Sequence, residues 1–69
     1  RPIGGIMTVR AFLNLSGLEL KKTSQGGRYV TIEVDGAMVD QPVLYENGEF
    51  YLFLSHVHPR IGSYVIWLG

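Results

Sequence analysis

The densest functional chemistry lies in one short run, Lys21-Lys22-Thr23-Ser24-Gln25-Gly26-Gly27-Arg28-Tyr29. Cations flank a polar loop, and an aromatic residue opens whatever follows it. Cations hold phosphates, and an exposed ring stacks a base for about 1–3 kcal/mol per base. The paired glycines let a backbone approach a ligand closely. Arg10, another cation of the same half, belongs to the same candidate surface. A plain solvated hairpin loop would have this composition too. The second concentration is aromatic: Tyr45, Phe50, Tyr51, Phe53, Tyr64 and Trp67. Such rings could stack bases, form a protein interface or simply fill the core.

Other chemistry is thin. His56 and His58 would project to one side of a strand, but no third ligand is evident and there is no cysteine, so no metal is expected. No serine stands in a nucleophile motif. Gly26-Gly27 is not followed by a helix pattern that would cradle a phosphate. The expectation is a non-enzymatic chain without a cofactor.

The elements that must position these residues show a period of two. Met7, Val9, Ala11, Leu13 and Leu15 are apolar and alternate with Ile6, Thr8, Arg10, Phe12 and Asn14. This reads as a first strand, bending at Gly17 and continuing through Leu18 and Leu20. Thr23 to Gly27 reads as a loop. Tyr29 to Asp35 is a second strand with Val30, Ile32 and Val34 on its core side. Asp35-Gly36 supplies a tight hairpin turn. A third strand runs from Ala37 to about Tyr45, at an edge, bulged or broken at Pro42. Asn47-Gly48 marks another turn. Phe50 to Leu54 is a fourth strand, apolar on both faces, so one pair must lie outside the core. Tyr51 and Phe53 are that pair, the candidate oligomer interface. His58 to Gly62 reads as a loop and Ser63 to Leu68 as a fifth strand. No stretch shows a convincing helical face. The fold class is therefore all-β, a small five-stranded OB-like or SH3-like barrel.

The chain has 69 residues, enough for one domain. Its 46% hydrophobic content excludes a disordered chain. The core of so small a domain is thin and no disulfide staples it, so a homodimer is expected. No apolar run approaches the ~20 residues of a membrane-crossing helix, and the start lacks a signal-peptide pattern. No membrane partner and a cytoplasmic location are the matching expectations. Met7 reads as a natural start, which would make residues 1–6 an added or upstream segment.

The net charge is zero, but unevenly laid out. Arg1, Arg10, Lys21, Lys22 and Arg28 face only Glu19 in the first part. Glu33, Asp35, Asp40, Glu46 and Glu49 face only Arg60 in the rest.

Lys-x-Thr-x-x-Gly-x-x-Tyr, from Lys21 to Tyr29, resembles the hairpin that opens the OB-type barrel of filamentous-phage single-stranded DNA-binding proteins. Gly62-Ser63-Tyr64 is similar to a Gly-Ser-Tyr step in that family. The resemblance covers about half of the chain. It implies a dimer that coats single strands, with Lys21, Lys22 and Arg28 on phosphates and Tyr29 stacking. Zero net charge and an acidic second half depart from that pattern. The two leading readings are thus a single-stranded nucleic-acid-binding protein and a small protein-interaction module or inhibitor with an aromatic, acidic β-surface. Cations and aromatics sharing a face free of carboxylates would favour the first. Acids intruding on that face would favour the second.

Overall fold

The structure is a computed structural model that describes residues 5–66. It is mostly β, with two three-stranded antiparallel sheets and short helices. The strands are β1 (Ile6–Thr8), β2 (Glu19–Thr23), β3 (Tyr29–Val34), β4 (Ala37–Pro42), β5 (Leu44–Glu46) and β6 (Glu49–Phe53). The helices are α1 (Val9–Ser16) and α2 (Pro59–Ile66), with a 3-10 turn at Leu54–His56. One sheet has the order β2-β3-β4 and the other β1-β6-β5. They stay separate and do not close into the expected five-stranded barrel.

Both turn readings hold. Asp35 and Gly36 have φ of 50° and 85°, and Asn47 and Gly48 have 52° and 80°. These left-handed pairs twist a two-residue hairpin to match its strands. The Pro42 reading holds as well. β4 is an edge strand that stops at Pro42, and the chain then crosses to the other sheet. Val43 N donates to Arg28 O at 3.0 Å, which fixes that crossing.

The long first strand is corrected. β1 is only three residues, and Val9–Ser16 is helical. Local capping decides this. Thr8 Oγ1 accepts from Ala11 N at 3.1 Å, and Gly17, at φ 75°, donates its N–H to Leu13 O at 2.9 Å. A hydroxyl N-cap and a left-handed glycine end close both ends of a short helix. Val9 and Phe12, three apart, are buried, while Leu15 of the apparent apolar stripe is 64% exposed.

The last strand is corrected too. Pro59 to Ile66 is a helix, which also replaces the His58 to Gly62 loop. Proline suits a first helical position because its missing N–H has no intrahelical partner there. His58 Nδ1 accepts from Arg60 N at 3.1 Å, as a cap does. Ile61 is buried and Tyr64, three residues on, packs against the core. Trp67 and Leu68 of the expected strand lie outside the described residues.

The core joins Val9 and Phe12 of α1, Val30, Ile32 and Val34 of β3, Val39, Leu52 and Ile61. The β3 alternation is as the sequence implies. One polar side chain is fully buried among them. Gln41 Nε2 donates to His56 O at 3.1 Å and to Pro42 O at 2.9 Å, and its Oε1 accepts from His58 N at 2.8 Å. That satisfies the amide and ties β4 to the segment before α2.

Candidate functional site

Antiparallel partners share a sheet face, so the registers place the nominated residues that lie on paired strands. On β2-β3-β4 the core side carries Val30, Ile32 and Val34. The outer side carries Tyr29 opposite Pro42, Thr31 between Lys22 and Asp40, and Glu33 between Glu19 and Met38. The register shifts between Leu20 and Lys22, so Lys21 is the extra residue of a bulge. Its Nζ lies 3.0 Å from Glu19 Oε1 and 3.4 Å from Glu33 Oε1. The hydrogen bond that Lys21 donates to Glu19, then the one it donates to Glu33, raises the Lys21 pKa above its ordinary value. Thr31 Oγ1 donates to Asp40 Oδ1 at 2.8 Å. Glu19, Glu33 and Asp40 thus stand among the lysines of this face.

The cations are not gathered on one carboxylate-free surface. Arg10, on α1, pairs with Glu49 at 2.7 Å. Lys21 is held by its two glutamates. Lys22 and Arg28 are exposed and have no ion pair among the described residues. Tyr29 is exposed at the start of β3.

The loop between β2 and β3 is built by its own side chain. Ser24 Oγ accepts from the backbone N–H of Arg28 and of Tyr29, each at 2.9 Å. Gly27 N donates to Ser24 O at 3.0 Å. This tight loop leans on the β5–β6 hairpin. A Cβ on Gly27 would stand 2.8 Å from Tyr45 Cβ, so only glycine permits the approach. Tyr45 and Phe50 are cross-strand partners with ring centroids 4.7 Å apart and planes inclined by 49°. Gly26, Gly27, Tyr45 and Phe50 line an open cleft of about 340 Å³. In the sequence these aromatics and these glycines stand in separate segments. The contact that unites them depends on the crossing at Val43, which no local pattern announces.

The second sheet has a distinct outer face. Its core side carries Met7, Phe50 and Leu52. The other side carries Ile6 opposite Phe53, and Thr8 and Leu44 on either side of Tyr51. Ile6 is 51% exposed, and Phe53 and Leu44 are each 39% exposed. Tyr51 is half-buried. The alternation of β6 therefore puts Tyr51 and Phe53 together on the outer side. Glu46 and Glu49, directly paired, stand at one end of this face. Like charges opposite one another repel, and Arg10 neutralises only Glu49.

The histidines are not on a strand. His56 Nδ1 lies 3.3 Å from Ser55 Oγ, and His58 Nδ1 serves the α2 cap. Among the described residues no group of three or more His, Cys, Asp or Glu could hold a metal ion. No described helix is long and apolar enough to cross a membrane. No protein-family model, curated protein or solved structure is significantly similar to this chain.

Proposed function

We propose that the chain is a non-enzymatic protein-interaction module that pairs with a second copy of itself through the outer face of the β1-β6-β5 sheet. The carrying observation is the exposed apolar group of Ile6, Leu44 and Phe53 around Tyr51, rimmed by Thr8, Glu46 and the Arg10–Glu49 pair. An apolar centre with a polar rim is the anatomy of an interface, and a two-fold axis sets such a patch on itself. The patch is small, so the association is weak, with a Kd of about micromolar or above. Sedimentation equilibrium tests this. The native chain should approach a dimeric mass as its concentration rises, and Phe53→Lys should stay monomeric with an unchanged melting temperature. A monomeric native chain at every concentration would refute it.

The intruding acids favour this reading over a strand-coating one. Single-stranded nucleic acid is the second reading, supported by Lys22 and Arg28, which have no ion pair among the described residues, together with the exposed Tyr29 and by the resemblance of Lys21 to Tyr29. Two phosphate contacts would give a log–log salt slope of roughly −1.4, at about −0.7 per contact. Absence of binding to any oligonucleotide at low salt would remove it.

A further inference from the structure

We infer that the free edge of β4 takes up an extended peptide of a partner protein as an added antiparallel strand, with a basic residue of that peptide opposite Asp40. This goes beyond the pairing face, because β4 belongs to the other sheet.

The hydrogen-bond phase of β4 carries the inference. A two-residue turn closes on a hydrogen-bonded pair, here Val34 and Ala37, and bonded pairs then alternate with non-bonded ones along the ladder. Met38, Asp40 and Pro42 are therefore the non-bonded positions. The pair beyond them agrees with this phase, since Val43 N donates to Arg28 O. The N–H and C=O of Met38 and of Asp40 thus point away from β3, and no backbone group among the described residues bonds them. Pro42 has no N–H, and its C=O already accepts from Gln41 Nε2, so the open stretch ends there.

Bulges, lysines and short strands keep an edge from pairing. β2 bulges at Lys21 and carries Lys22, β1 has three residues, and β5 has Gly27 packed against Tyr45. β4 has no lysine, and its register runs without a bulge. Charge then narrows the occupant. Met38, 58% exposed, and Asp40, also exposed, share the outer face. Asp40 accepts from Thr31 Oγ1 but has no ion pair among the described residues. Lys22 of the same row is two strands away, about 10 Å, where salt screens it. The β4 of a second copy would bring no cation to Asp40. A partner strand reading basic-x-apolar sets its cation opposite Asp40 and its apolar residue opposite Met38.

The test is NMR titration of the intact chain with the peptide acetyl-Ser-Thr-Arg-Thr-Val-Thr-Ser-amide. Three control peptides carry Glu in place of Arg, an N-methyl group on Val, or an N-methyl group on the Thr before it. In the free chain the amides of Met38 and Asp40 should exchange rapidly with solvent while that of Val39 is protected. The peptide should shift and protect the Met38 and Asp40 amides. Glu in place of Arg should weaken binding about fivefold, the worth of a cross-strand charge pair. Asp40→Lys should reverse that preference, with the dispersed spectrum of the folded chain retained. Methylation at Val should abolish binding and methylation at Thr should not, because only the Val N–H points at β4. Phe53→Lys should bind the peptide as the native chain does, so failure of the pairing face leaves this result standing. Slow exchange of both amides in the free chain, or no shift at millimolar peptide, would overturn the inference. So would equal binding of the Glu or methyl-Val peptide. Shifts at Met38 and Asp40 that grow with protein concentration alone would replace it with pairing of two β4 edges.

Discussion

Alanine at Gly27 should destabilise the chain more than alanine at the adjacent Gly26, and the structure sets the size of the difference. Both glycines have positive φ, +91° at Gly26 and +70° at Gly27. An L-residue in the left-handed region costs roughly 1–2 kcal/mol. Gly26 lies further from the centre of that region, near +57°, so its backbone cost is no smaller. Space separates them. A methyl at Gly26 meets nothing within 4 Å, whereas one at Gly27 stands 2.8 Å from Tyr45 Cβ and 3.1 Å from its Cγ. Tyr45 would have to move, and its contact with Phe50 would move with it. Overpacking of this kind costs about 1–3 kcal/mol. Gly26→Ala should therefore cost about 1–2 kcal/mol and Gly27→Ala about 2–5 kcal/mol. Against a total stability of about 3–10 kcal/mol for so short a chain, the second is severe. Urea denaturation read by circular dichroism is the assay. With a slope near ~1 kcal/mol/M, the two midpoints should differ by at least about 1 M. Equal midpoints would show that the loop does not lie against Tyr45, and the cleft would lose one wall.

Replacing Gln41 by Leu should lower stability by about 1–3 kcal/mol, since it strips the partners from His58 N and His56 O; an unchanged urea midpoint would contradict the clamp. Thr8→Ala should cost about 1 kcal/mol through loss of the α1 cap, with Thr8→Ser recovering most of it in the same assay. Lys21 has its pKa raised above 10.5 by Glu19 and Glu33. Its contribution is whole below that ordinary value and is lost as pH rises through the higher folded value. Lys21→Met should thus show a smaller fall in melting temperature between neutral and strongly alkaline pH than the native chain, and an identical fall would refute the pairing.

The parts legible in the sequence are those governed by neighbouring residues. Asp35-Gly36 and Asn47-Gly48 specify their turns through backbone angles alone, and Val30, Ile32 and Val34 reveal their face by strict alternation. The Tyr51 and Phe53 placement follows from the same rule. The two helices were hidden for different reasons. In Val9–Ser16 both periods fit the apolar residues, and the deciding signals were Thr8 and Gly17 at the ends. In Pro59–Ile66 the β-favouring Tyr64, Val65 and Ile66 outweigh the helix signal by composition, yet burial of Ile61 against the core overrides propensity. The charges were hardest to read. Sequence proximity groups Lys21 and Lys22, but the bulge delivers Lys21 to Glu33 on the neighbouring strand, and the turn of α1 delivers Arg10 to Glu49, 39 residues away.

The buried amide of Gln41 also bears on the order in which the chain assembles. Its partners His56 and His58 lie 15 and 17 residues further along. Until the β3–β4 hairpin has formed, no acceptor is in place for His58 N, and the cap that begins α2 has nothing to anchor it. The hairpin is closed by adjacent residues and needs no such help. Folding should therefore run from the hairpin outward, with α2 docking late. In native-state hydrogen exchange the α2 amides should open before those of β3, so that the last helix behaves as a separate, less protected cooperative unit.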